Sequence, residues 1–154
     1  MSGELRESLE VEQAMLRRLL EESAPLVARC RAEQPGSTEQ WALAAMLHAF
    51  YNGVENLFRR IAMEMDGGTP VGPASHRELL DSMARPGAAR PRVITDATRD
   101  RLEEYLDFRH MFRHAYTSNL QWHKMANLVL GIEAIWRQIE SELQTFIDSI
   151  AQDS

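Results

Sequence analysis

A chain of 154 residues is long enough to bury one proper hydrophobic core, and residues 1–154 read as a single domain. Its composition, 44% hydrophobic and 26% charged, is that of an ordinary globular protein, and a net charge of −6 argues against broad coating of nucleic acid, which needs a basic surface. A single cysteine, Cys30, excludes an intramolecular disulfide and fits a reducing cytoplasm; the charged start MSGELRESLEVEQ lacks the apolar run of a signal peptide, and no segment approaches the roughly 18 apolar residues that span a bilayer.

Strand signals are almost absent and helical periodicity is everywhere. Leu5, Leu9, Met15, Leu16, Leu19 and Leu20 predict a first helix over 4–31, with Pro25 expected to kink or break it near Ser23. Ser37 with Gln40 reads as a capping box for a second helix over 38–65, whose apolar face is Phe50, Val54, Leu57, Phe58, Ile61 and Met65. That helix is expected to stop at the DGG of 66–68. Ser75 with Glu78 opens a short helix to about Met83, and RPGAARPR (85–92) reads as a basic, turn-rich connector. Thr95 or Asp96 caps a fourth helix to about Thr117, and a fifth runs from Gln121 or Trp122 to about Ile150. The expected fold is all-α: an up-and-down bundle of four main helices plus a short one.

The fourth helix carries an anomaly. DFRHMFRHAYTSNLQWHK (107–124) holds three of the five histidines in the chain. On a helical wheel Leu102, Tyr105, Leu106, Phe112 and Tyr116 share an arc, and Arg109 falls in the middle of it. An arginine there needs a partner or a solvated cleft. One explanation is a structural ion pair with a neighbouring carboxylate such as Glu55. The other is an anion site, suggested by the interleaved i, i+4 pairs His110/His114 and Arg109/Arg113. His110, His114 and His123 form a weaker candidate metal set, with no cysteine or clear carboxylate to complete it. Glu55 and Glu64 lack an accompanying Glu-x-x-His motif, and Trp41, Trp122 and Trp136 read as core or interface anchors.

FRHMFRHAY (108–116) resembles the signature of the HEPN superfamily, an arginine followed by a polar residue and then by a histidine four to six residues on; here these are Arg109, His110 and His114. The continuation HAY resembles the HepT-like branch, in which a tyrosine follows that histidine by two positions, and this makes Tyr116 the matching tyrosine. FYNGVENLFRRIAMEMDGG (50–68) resembles the second helix of the same branch. One departure is visible: the branch commonly carries asparagine where this chain has His110.

The resemblance implies a homodimeric, metal-independent endoribonuclease needing no cofactor, a toxin neutralised by an MNT-type nucleotidyltransferase antitoxin that transfers AMP to the tyrosine matched by Tyr116. RNA supplies its own nucleophile, the 2′-OH, so the enzyme need only move protons and steady charge on phosphorus. In this scheme His114 moves the proton, Arg109 holds the phosphate, His110 orients it or shares the acid–base work, and Arg113 with the basic connector guides RNA in. The alternative is a non-catalytic helical module that binds a nucleotide or a nucleotidyltransferase partner.

Overall fold

A computed structural model describes residues 3–114 and 120–151. Among them run α1 (Gly3–Cys30), α2 (Ser37–Met65), α3 (Ser75–Met83), α4 (Asp96–Arg113), α5 (Trp122–Leu130) and α6 (Ile132–Ala151). The described residues are all-helical, as expected, with four long helices and two short ones among them. None of these helices is long and apolar enough to cross a membrane.

α2 is the central post. It packs against α1, α3, α4 and α5, and Phe50, Val54, Leu57, Phe58 and Ile61 of its expected face are sealed from solvent. α1 lies tightly along it at Gly53, where a Cβ would come within 2.5 Å of Leu16 Cδ2, so glycine leaves the space that the Leu16 side chain fills. Leu102 and Tyr105 of α4, and Ile135, Ile139 and Leu143 of α6, close the core from the other side.

Pro25 does not break α1, which continues to Cys30. Both Pro25 and Glu21 are exposed, so water can serve the Glu21 carbonyl that loses its backbone donor. Two caps also differ from expectation. α2 is entered at Gly36, whose N–H donates to Glu39 Oε1 at 3.1 Å, so Ser37 lies inside the helix; α3 begins after Ala74 with no side-chain cap. Thr95 caps α4 as expected, its hydroxyl accepting from the Thr98 N–H at 3.2 Å.

The predicted last helix is two helices. Tyr105 Oη donates to the Leu128 carbonyl at 2.7 Å, occupying the acceptor that a continuous helix would offer to Ile132. Gly131 sits at this junction, where an added Cβ would lie 3.0 Å from the Asn127 carbonyl and 3.9 Å from Tyr105 Oη. α4 is thereby docked into the joint between α5 and α6.

The DGG stop behaves as read. Gly67 adopts φ 78°, a left-handed conformation that glycine tolerates, and the Gly68 N–H returns to the Ala62 carbonyl at 3.2 Å. The connector behaves differently from a guide for RNA at one position. Arg90 turns inward, its side chain only 1% exposed, and clamps both oxygens of Asp66 at 2.8 Å while donating to the carbonyls of Ser82, Arg85 and Pro91. Its charge is consumed in tying the connector to the end of α2.

Candidate functional site

α4 brings Arg109, His110, Arg113 and His114 to its C-terminal end, next to α2. Arg109 is half-buried and its Nε donates to Asn52 Oδ1 of α2 at 2.5 Å. The proposed ion pair with Glu55 does not form. Glu55, 4% exposed, accepts instead from Arg59 Nη2 at 2.6 Å and lies 2.7 Å from His76 Nδ1. An amide orients a guanidinium without neutralising it, so the charge of Arg109 stays available.

The same holds for its neighbour. Arg113 is exposed and has no hydrogen bond or ion pair among the described residues. Two acids of α4 are held elsewhere: Arg77 of α3 holds Glu103 at 2.6 Å and Asp107 at 2.7 Å. Most other arginines are spent in this way, including Arg17, Arg18, Arg29, Arg59, Arg60, Arg90 and Arg99. Positive charge at a helix C-terminus is favourable in itself, because the last carbonyls carry partial negative charge. That accounts for basic residues in the last turn, but not for the pairing of Glu103 and Asp107 with Arg77 rather than with Arg109 or Arg113.

His110 and His114 are exposed, with ring centroids 4.7 Å apart in an edge-on arrangement. α4 is shorter than its periodicity suggested. It ends at Arg113, and His114 is the C-cap residue, its N–H returning to the Met111 carbonyl at 3.2 Å. His114 therefore leaves the helix axis at the point where its ring meets that of His110. Tyr116 lies outside the described residues. Among the described residues no group of three or more His, Cys, Asp or Glu side chains stands close enough to share a metal ion, so His110, His114 and His123 do not form such a set.

α2 supplies a second wall that sequence reading did not mark. One turn before Asn52, His48 packs against Phe112 with centroids 5.8 Å apart, and its Nδ1 is buried without a partner. Burial first, then Arg109 and Arg113, hold its pKa below the ordinary histidine value, so the ring is neutral at pH 7. Trp41 completes the wall, 39% exposed and 5.8 Å from Phe112. The available signal was His48 and Asn52, polar residues four apart beside a strongly apolar stretch; their partners are about sixty residues away and invisible to local periodicity.

The arrangement offers two cationic forks, two solvent-facing imidazoles and one imidazole kept neutral, which suits binding an anion and transferring protons beside it. A comparison with curated proteins finds no match, and one with solved structures finds none either. Residues 42–150, which include α4 and all but the first turn of α2, match the family described as HepT-like protein, and the chain belongs to that HepT-like family.

Proposed function

We propose that the chain is the ribonuclease toxin of a toxin–antitoxin pair, cleaving RNA without a metal ion at Arg109, His110 and His114. The carrying observation is that Arg109 is oriented by a neutral amide, and among the described residues no carboxylate pairs with it or with Arg113, beside two histidine rings 4.7 Å apart. The family assignment supports the same class of protein.

In the proposed reaction, a histidine takes the proton of the 2′-OH and the 2′-oxygen attacks phosphorus. The bond from phosphorus to the 5′-oxygen breaks, and a second histidine donates a proton to the leaving oxygen. Arg109 holds the non-bridging oxygens through its planar fork, and Arg113 meets the adjoining backbone. His114 is the principal proton carrier and His110 orients the phosphate. A homodimer that brings two such sets to one cleft would supply both acid and base. Its partners in this scheme are RNA in the cytoplasm and an MNT-type nucleotidyltransferase, which adds AMP to Tyr116 and blocks the cleft by bulk and charge.

Purified protein incubated with total RNA in EDTA, followed by end-group analysis, tests the activity. Cleavage that persists under chelation and leaves a 2′,3′-cyclic phosphate is expected. Cleavage that needs an added divalent ion, or that proceeds equally on all-deoxy substrate, would show another mechanism. No cleavage at all would favour the non-catalytic module.

A further inference from the structure

Trp41 is the one large aromatic side chain among the exposed hydrophobic residues described, whereas Trp136 is 4% exposed and Trp122 packs against the core. It does not stand alone. Its ring is tilted by 53° against Phe112 at 5.8 Å, and Phe112 is stacked on Phe108 at 6.1 Å with 10° between planes. Phe112 is flanked in sequence by Arg109, one turn before it, and Arg113, directly after it. Hence a row of rings crosses from α2 to α4 at a stretch of α4 that carries two guanidiniums with no carboxylate partner among the described residues.

We infer that Trp41 and Phe112 form a nucleobase subsite, with an unpaired base stacked on the exposed indole while Arg109 and Arg113 take the adjacent phosphates. A nucleotide brings a counterpart for each feature of this patch, an aromatic face for the indole and a negative charge for the guanidiniums. His48 fits the same use: half-buried against Phe112 with its Nδ1 sealed, it stays uncharged, since protonation would bury a donor that has no acceptor at Nδ1. The base must be unpaired, because a paired base offers its edge and not its face to a protein ring. The identity of the ligand rests on the ribonuclease proposed above, but the stacking can be measured without cleavage.

Fluorescence anisotropy of a short, labelled, fully 2′-O-methylated oligoribonucleotide measures binding without turnover. A matched oligomer with abasic residues isolates the contribution of the bases. At one fixed salt concentration Trp41→Ala should weaken binding of the base-bearing oligomer roughly 10- to 100-fold, the scale of one lost base–aromatic stack. Trp41→Phe should keep most of the affinity. Wild type should bind the abasic oligomer as weakly as Trp41→Ala does, and that variant should not distinguish the two oligomers. Equal binding of both oligomers by wild type overturns the subsite, and that arm needs no variant to fold. So does unaltered binding by Trp41→Ala, or its conversion of a dimeric wild type to monomer, which would make Trp41 a contact between copies. Cleavage of unmodified RNA is scored separately. Base-dependent binding without cleavage would leave the subsite and remove the ribonuclease; cleavage with base-independent binding would do the reverse.

Discussion

The guanidinium of Arg109 is held by the Asn52 amide at 2.5 Å, so it is positioned without being neutralised. Removing it should leave the fold intact and abolish most RNA cleavage, since Arg113, one turn on, meets the adjoining backbone in the proposed scheme and lacks the Asn52 amide that orients Arg109. His114→Ala should lower the rate by roughly 10²–10⁴-fold, the usual scale of general acid–base catalysis. His110→Asn should retain much of the activity if position 110 only orients phosphate. Single-turnover rates of the three variants at matched circular dichroism check this; a His114→Ala protein that cleaves normally would remove its role. Tyr116→Phe keeps the ring and deletes the proposed AMP acceptor. Co-expressed with the proposed nucleotidyltransferase partner, this variant should remain toxic, while mass spectrometry of wild type should find added AMP on Tyr116. An adduct elsewhere, or a silenced Phe variant, would separate Tyr116 from regulation.

Between elements, the connector that follows α3 is anchored by one side chain. Arg90 is almost wholly buried against Asp66, and three carbonyls share its remaining donors. Asp66→Ala leaves that charge unpaired. Breaking a buried pair costs roughly 3–5 kcal/mol; Asp66 is 21% exposed and the carbonyls persist, so about 2–3 kcal/mol is expected here. In a chain of this length that lowers Tm by roughly 5–10 °C in calorimetry. Oligonucleotide affinity should hardly change, because Arg90 faces inward. A fall in affinity with unchanged Tm would return the connector to RNA guidance.

At the scale of the molecule, two measurements bear on assembly and pH. Light scattering at micromolar concentration should give twice the chain mass, because one set of motif residues offers few groups for both acid and base roles; a monomer that cleaves RNA would overturn the shared cleft. The pH response follows from His48. Its folded pKa is lowered, by burial and then by Arg109 and Arg113, so the unfolded chain binds more protons near pH 6. The resulting contribution to stability is present above the unfolded value of about 6.5 and is lost as pH falls below it. Urea midpoints measured from pH 7 to pH 5 should fall more steeply for wild type than for His48→Gln. Parallel curves would mean that His48 titrates normally.

Local chemistry was enough to determine most of the helices of this protein and the position of its motif, because hydrophobic periodicity, the DGG stop and the Thr95 cap act within a few residues. The apolar face of α2 and the cluster at the end of α4 were legible for that reason, and the family assignment agrees with the motif. Only the tertiary structure decided which polar group meets which. Arg109 and Glu55 were a plausible pair on charge alone, yet the fold gives Arg109 to Asn52 and Glu55 to His76 and Arg59. It also turned Arg90 inward, split the last helix where Tyr105 takes the Leu128 carbonyl, and set His48 and Trp41 against Phe112. Each of these depends on groups far apart in sequence brought within a few ångströms, and a buried polar atom takes whichever partner the packing puts in reach.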